Sequence, residues 1–345
     1  MDTKIVIENA EIFNGKDPET VKGNILIENN LIDKISAQPL PPETTAGATV
    51  IDGTGKFLMP GLIDAHWHAY LCCNTMADLL AGEPSYTYLV AGREATATLL
   101  RGFTTIRDAG GPVFGLKRAI DNGVLEGPRI YPSGAMISQT SGHGDFSPVY
   151  EQAHGDCCCG LAHVEELGAS RVVDGPVAVT AAVRENLKKG ASQIKLMAGG
   201  GAAPLYDPLD VTEFFDEELQ AAVRAAEDWG TYVMVHVYNP RGIARALKAG
   251  VKSIEHGHLI DEATMALLAE SGARHSLSKT TRTPPPFNRP NMSKSPKVQT
   301  VPTTWRNNTV SSSPGVPTCF SILKIRKTRI MASSNSKSGS AISRF

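Results

Sequence analysis

The chain has 345 residues, of which 41% are hydrophobic and 20% are charged, and its formal net charge is −1. This composition is typical of a soluble globular protein and excludes fibrous, collagen-like and wholly disordered chains. The charge is unevenly distributed, because all 35 acidic residues precede Arg274. Residues 275–345 hold 12 of the 34 basic residues, which leaves 22 basic against 35 acidic residues, a balance of −13, in the rest of the chain.

The longest apolar runs are far shorter than the roughly 20 residues that a membrane-spanning helix needs. The first residues also lack the basic-then-apolar layout of a secretory signal. Six cysteines lie at Cys72, Cys73, 157–159 and Cys319 without CxxC spacing, which indicates neither a disulfide framework nor a thiolate zinc site. We therefore expect a cytoplasmic protein without a membrane partner.

Residues 1–58 are predicted to form a small β domain. Short apolar runs begin at Lys4, Asn24 and Leu31, and the pair Asn29-Asn30 is a turn signal between the last two. The pattern predicts a small antiparallel β unit, followed by a polar loop over residues 39–45.

Residues 59–273 alternate short apolar strands with helices, which predicts a parallel sheet covered by helices. A (β/α) barrel is the leading candidate and a doubly wound sheet the second. One helix is predicted to begin at the N-cap Asp216, and another lies between Asp261 and Gly272. The glycine run 199–201 lacks the GxGxxG spacing and no P-loop is present, so dinucleotide binding is not expected. The predicted strands are 58–65, 103–108, 129–134, 193–198, 232–237 and 253–257.

Histidines stand at the ends of three of these strands. His66 and His68 are two residues apart, a spacing that places both imidazoles on one face of a strand. His236 and His256 end two later strands, and the C-terminal strand ends are where a β/α barrel carries its active site. A single such histidine often fills a core, but the recurrence on three strands favours a metal site. His258 is expected to be a loop or supporting residue.

Lys195 lies in the middle of a predicted strand that should face the barrel interior. Burial disfavours the charged ammonium, so it lowers the lysine pKa and makes the neutral amine available. Two readings stay open: the side chain reaches a strand end, or the amine has taken up CO2 as a carbamate that bridges two metal ions.

The four segments 55–68, 194–200, 235–240 and 253–257 together resemble the amidohydrolase superfamily. The resemblance is strongest to its imidazolonepropionase-like and Xaa-Pro (prolidase-type) dipeptidase branch, and it covers about residues 1–273 in order. It implies a distorted (β/α)8 TIM-type barrel with a small β-sandwich built from both chain ends.

The resemblance also implies two divalent metal ions, usually zinc, at the mouth of the barrel. His66 and His68 would bind one metal, His236 and His256 the other, and a carboxylated Lys195 would bridge them. A hydroxide between the two metals would attack the amide carbonyl of a small-molecule or dipeptide-like substrate.

Two further residues match functional positions of this branch. His143, in a Gly-His-Gly-Asp loop, would reach the substrate carbonyl and stabilise the oxyanion. Tyr238 corresponds to a tyrosine near the substrate α-carboxylate. For both side chains, hydrogen bonding within a loop is the alternative.

Residues 274–345 form a basic tail rich in Ser, Thr and Pro, with eight Pro and 23 Ser or Thr from residue 275 onward, so most of it is expected to be disordered. The family uses an Asp after the eighth strand as metal ligand and proton shuttle, and this segment contains no carboxylate. The sequence thus predicts an incomplete barrel of about six strands. Asp64, Asp108 and Asp145 lack the eighth-strand position and are not expected to substitute.

The abrupt change at residues 273/274 has two readings, a shifted reading frame or retained intron, and a genuine basic tail. Only 324–329 clusters its positive charges, so nucleic acid is not the expected partner. Two hypotheses about function follow: a metal-dependent amidohydrolase, or a catalytically impaired remnant that acts as a binding protein. The substrate, the metal and the oligomeric state, including a homo-oligomer, are left open.

Overall fold

The computed structural model describes residues 4–150, 160–202, 207–276 and 319–321. The chain divides into two compact units, one formed by Met1–Pro60 with Thr318–Phe345 and the other by Gly61–Pro317. No helix among the described residues is both long and apolar enough to span a bilayer.

The first unit is built on one mixed sheet. Its predicted antiparallel core is confirmed, because β1 pairs with β2 and β2 with β3 in antiparallel register. Strands β4 and β5 then pair parallel to β1, and β15 pairs parallel to β5. A short helix, α1, occupies part of the predicted polar loop. The described residues show one sheet here, so the sandwich stays a prediction. The elements are β1 Lys4–Ile12, β2 Val21–Glu28, β3 Leu31–Ser36, α1 Pro42–Thr45, β4 Thr49–Asp52, β5 Phe57–Met59 and β15 Cys319–Ser321.

The second unit carries the predicted parallel strands in two sheets. One has the order β6-β7-β8 and the other β10-β9-β11-β12-β13-β14, and every pairing in them is parallel. The described strands therefore give the α/β class that the sequence predicts, but they do not close into a barrel. The strands are β6 Leu62–Trp67, β7 Phe103–Asp108, β8 Arg129–Tyr131, β9 Met136–Ser138, β10 Ser170–Val172, β11 Ile194–Met197, β12 Val233–Val237, β13 Ser253–His256 and β14 Arg274–Ser276.

The predicted strand 129–134 is shorter than expected because Pro132 and Gly134 interrupt it. Proline cannot donate to a β ladder, and Gly134 has a φ of +78°. The side chain of Gln193 bridges this break between the two sheets. Its Nε2 donates to the backbone carbonyls of Asp108 and Tyr131, both at 3.0 Å.

Helices cover the six-stranded sheet and build the main core of this unit. Ile194, Leu196 and Val235 from the strands pack with residues of α6, α7 and α8, including the fully buried Leu219. The predicted ends of α9 are confirmed, because Asp261 accepts a hydrogen bond from Thr264 N and the C-cap glycine is left-handed. The start of α7 lies one residue from expectation, with Phe215 as N-cap. The helices are α2 Met76–Ala81, α3 Pro84–Leu100, α4 Phe114–Asp121, α5 His163–Glu166, α6 Pro176–Lys188, α7 Asp216–Glu227, α8 Pro240–Ala249 and α9 Glu262–Ser271.

Two short strands, β14 and β15, lie in the basic tail. Strand β14 pairs with β13 and, like β9 and β10, is a parallel strand that the sequence did not predict. Strand β15 falls within residues 318–325, which are the one run of the tail whose apolar content predicts a strand. The remainder of the tail, on which the prediction of disorder was made, lies outside the described residues.

The connection between β8 and β9 depends on Asn186, a buried residue of α6. Its Oδ1 accepts from Ala135 N at 3.2 Å and its Nδ2 donates to Ala135 O at 3.0 Å. An Asn186→Ala change leaves both backbone groups unpaired in the interior, and we expect a loss of about 2–4 kcal/mol in the free energy of unfolding. Urea denaturation measures this loss, with Asn122→Ala on an exposed helix end as the control. Equal stability of the two variants would contradict the prediction.

Candidate functional site

The histidines predicted at three strand ends lie together. His66 stands near the end of β6 and His68 follows it, while His236 lies in β12 and His256 ends β13. The ring centroid of His66 is 5.2 Å from that of His68 and 4.7 Å from that of His256. The ring centroids of His256 and His236 are 4.6 Å apart. All four predicted histidines thus form a continuous group.

His256 reaches this group through an unusual backbone conformation. Its φ is +72°, in the left-handed region that a non-glycine residue seldom adopts. Strict alternation along β13 would send Glu255 and His256 to opposite faces. Because the strand ends in this left-handed turn, both side chains contact His66. Such strain is typical of functional sites.

Lys195 lies in the middle of this group. It is in β11, only 1% exposed, and the described residues provide no hydrogen-bond acceptor for its Nζ. Burial lowers its pKa to about 8, an effect that the nearby Glu255 carboxylate opposes. Burial is the main cause that lowers the pKa of each of the four histidines, and the positive charge of Lys195 lowers it further.

The histidines have the protonation state that metal ligands need. Burial lowers the pKa of His68 to about 3 and of His256 to about 2, and it holds that of His236 well below its usual value. These rings are therefore neutral at pH 7. Nδ1 of His66 is 2.5 Å from Glu255 Oε2, and Nδ1 of His68 is 3.0 Å from the carbonyl oxygen of Gly110. Since both partners can only accept, the two Nε2 atoms carry free lone pairs, as in metal-bound histidines.

Within the described ranges, no three His, Cys, Asp or Glu side chains are arranged to hold one metal ion. A set of two histidine pairs that share Lys195 contains only two such side chains per metal ion. The neutral rings, the fixed tautomers and the buried amine fit a site in which each of two metal ions takes one histidine pair and both share Lys195.

The three upstream carboxylates accept hydrogen bonds from nearby backbone N–H groups. Asp64 accepts from His66 N at 3.0 Å, and Asp145 accepts from Ser141 N at 2.8 Å. Asp108 accepts from Ala69 N and Gly110 N, and burial raises its pKa to about 7. The expectation that none of them replaces the eighth-strand Asp stays a prediction.

His143 contacts the histidine group from the loop after β9. Its ring stacks on that of His236 with centroids 4.0 Å apart, and its Nδ1 is 2.7 Å from Asp207 Oδ2. Its backbone N–H donates to Glu213, a buried carboxyl whose pKa burial raises to about 8. The ring fills the space beside Gly201, where an added Cβ would lie 1.7 Å from His143 Cε1. This contact gives the glycine run 199–201 a steric role.

Tyr238 also joins the site. Its ring centroid is 5.1 Å from that of His236 and 5.3 Å from that of His256. Partial burial raises the pKa of its hydroxyl, which is therefore protonated and able to donate at pH 7. The exposed His258 stacks beside it at 5.7 Å, in the supporting position that the sequence indicated.

Sequence reasoning missed three acidic residues of this site: Glu255, Asp207 and Glu213. Glu255 could have been noticed, because it is a charged residue in the apolar strand before His256. The other two lie in a loop and before a helix, where a carboxylate is ordinary. Only their contacts with His143 single them out.

Comparison with known proteins gives a consistent result. The model of the amidohydrolase family matches residues 57–341. The ochratoxinase of Aspergillus niger is 31% identical over 283 residues, which are 79% of this chain and 58% of that protein. A prolidase structure complexed with N-methylphosphonate-L-proline is 38% identical, with a TM-score of 0.72 over 79% of this chain and 65% of that one. A Xaa-Pro dipeptidase with bound methionine is 33% identical, with a TM-score of 0.67 over 79% and 66% of the two chains. The chain therefore spans less than two thirds of the length of these relatives, and the resemblance to the prolidase-like branch is confirmed.

Proposed function

Because the chain belongs to the amidohydrolase family, we propose that it is a metal-dependent hydrolase of amide bonds in small dipeptide-like substrates. The observation that carries the proposal is the buried amine of Lys195 among four neutral histidines. Among the described residues no hydrogen bond accounts for this amine, and Glu255 is the carboxylate that interacts with its charge. A site for divalent cations explains both the amine and the histidines.

We assign one cation to His66 and His68 and the other to His236 and His256, with Lys195 between them as its carbamate. The carbamate forms when the neutral amine adds to CO2 and releases a proton, which the lowered lysine pKa favours. Bound zinc or a similar divalent cation would lower the pKa of water toward neutrality and polarise an amide carbonyl.

The remaining residues of the site are assigned to the substrate. His143 is placed to contact the substrate carbonyl, with its ring orientation set by Asp207. Tyr238, with a protonated hydroxyl, is placed to donate to a carboxylate group of the substrate. The prolidase and Xaa-Pro dipeptidase among the similar structures support a dipeptide-like substrate.

The test uses the full chain loaded with zinc or cobalt. We expect two metal ions per chain by mass spectrometry of the metals, and turnover of at least one member of a panel of Xaa-Pro dipeptides, other dipeptides and ochratoxin. Removal of the metal with a chelator should abolish turnover, and readdition should restore it. The double variant His66→Asn, His68→Asn should lose about half of the bound metal, because it removes one of the two histidine pairs.

A chain that binds metal but turns over no substrate would favour the alternative of an impaired binding protein. A chain that retains no metal at all would contradict the proposal.

A further inference from the structure

The carboxylate of Glu255 is the centre of a buried hydrogen-bond network beside the proposed metal site. Glu255 is fully buried. Its Oε2 lies 2.5 Å from Nδ1 of His66, and its Oε1 accepts from Arg107 Nη2 at 2.7 Å and from Ser253 Oγ at 2.6 Å. A buried carboxylate is costly unless it is paired and hydrogen-bonded, and this one is both.

Arg107 holds Glu255 in place from β7. Its Nε donates to the carbonyl oxygen of Ala65 at 2.5 Å. Its Nη1 lies 3.2 Å from Ser253 Oγ and 3.4 Å from the hydroxyl of Tyr232. Since the guanidinium is planar and all its donors are fixed in one fork, these contacts set the orientation of the carboxylate. Arg107 thus links β6 and β7 in the three-stranded sheet to β13 in the other.

This arrangement determines which nitrogen of His66 is free. A carboxylate between an arginine and a hydroxyl can only accept, so Nδ1 of His66 carries the proton and Nε2 keeps its lone pair. A backbone carbonyl, that of Gly110, does the same for His68. Of the two histidines, only His66 depends on a side chain for its orientation.

We propose that Glu255 is a positioning residue that fixes the tautomer and ring orientation of His66, so that its Nε2 is directed at the metal ion. This inference rests on the proposed function for the metal itself. The statement about His66 concerns the chain alone and can be tested without metal.

A purely structural role for Glu255 is the competing explanation, because the network also ties the two sheets together. The two roles differ in what they affect. A structural carboxylate changes the stability of the chain, whereas a positioning carboxylate also changes metal affinity and the His66 tautomer. The chain offers a matched control in Glu218, a buried carboxylate that accepts from Gly175 N and Phe215 N at the start of α7.

The experiment compares the full-length wild type with Glu255→Gln, Arg107→Met and Glu218→Gln. Cobalt(II) is titrated into each metal-free protein and followed by its absorbance. We expect the dissociation constant to rise about 10- to 100-fold for Glu255→Gln, as for other partners of metal-bound histidines. Arg107→Met should give a smaller rise, since Glu255 remains. Glu218→Gln should be destabilised in thermal melting but bind cobalt as the wild type does.

A second measurement keeps the test independent of metal binding. Nitrogen-15 spectra of histidine-labelled, metal-free protein report which ring nitrogen carries the proton, and a His66→Asn variant identifies the His66 signals. We expect the Nδ1–H form in the wild type and a loss of that preference in Glu255→Gln.

Either of two results would overturn the inference: cobalt affinity of Glu255→Gln within twofold of the wild type, or a His66 that carries its proton on Nε2 in the wild type. If the wild type binds no cobalt, the proposed function fails, and the spectra still decide whether Glu255 fixes His66.

Discussion

Replacing Lys195 with methionine is expected to abolish tight metal retention and to raise the stability of the metal-free chain. Both effects have the same origin in the buried amine. Without a nitrogen at this position, no carbamate can form between the two histidine pairs. Methionine keeps the length of the apolar stem, so the surrounding core loses little packing. The side chain of Lys195 is only 1% exposed, and burial lowers the pKa of its amine from 10.5 to about 8. This shift corresponds to a cost of about 3 kcal/mol in the stability of the folded chain at pH 7.

The same substitution predicts a difference in pH dependence. Between about pH 8 and 10.5 the unfolded chain holds a proton on Lys195 that the folded metal-free chain has released. Wild-type stability should therefore gain a contribution as pH rises through this window, and below pH 8 the full cost of the buried charge applies. Lys195→Met should lack this contribution.

Urea denaturation of the metal-free proteins at several pH values, together with metal analysis, measures both effects. Lys188→Met, at an exposed position of α6, is the matched control and should change neither. Retention of two metal ions by Lys195→Met would contradict the ligand role. A metal-free Lys195→Met that is less stable than the wild type at pH 7 would contradict the prediction that the buried ammonium destabilises the folded chain.

The second large effect is expected from Gly201→Ala. The new Cβ would lie 1.7 Å from His143 Cε1, a distance that no real contact tolerates, so the imidazole must move. If His143 stabilises the oxyanion, turnover of the metal-loaded chain should fall about 10²- to 10³-fold, the usual effect of losing one oxyanion donor. Turnover of the His143→Ala variant should fall by a similar factor.

Gly115→Ala is the control for this prediction, because an added Cβ there meets no atom within 4 Å. Turnover is measured with the best substrate of the panel, and the hydrogen-bonded Nδ1–H signal of His143 reports the ring position without any substrate. The signal should be lost or shifted in Gly201→Ala and unchanged in Gly115→Ala. Wild-type turnover together with an unchanged signal in Gly201→Ala would refute the steric role.

The sequence predicted the strands that carry the site because their apolar runs are short and bounded by turn signals. The structure confirms four of the six predicted strands within a residue or two, and it shortens the one at 129–134, where Pro132 and Gly134 interrupt it. The predicted strand 58–65 was wrong as a single strand, because residues 60–61 divide it into β5 and β6, which belong to different sheets. Strand β14 was missed, as were β9 and β10, because three residues give no periodic pattern to read. Its identity as a strand depends on pairing with β13, a contact made in space.

The amino-acid sequence by itself determined the chemistry available to this protein: a His-x-His pair, two histidines at later strand ends and a lysine inside an apolar strand. Strands β11, β12 and β13 are parallel neighbours in one sheet, so their ends lie at one edge and bring Lys195, His236 and His256 together. The His-x-His pair belongs to the other sheet, and the tertiary structure brings His66 against His256. Only the tertiary structure decided which nitrogens are free, because that depends on acceptors such as Glu255 and the carbonyl of Gly110, far away in sequence. It also decided that Lys195 is buried without a hydrogen-bond partner among the described residues, since burial is a property of the packed strands and helices around it.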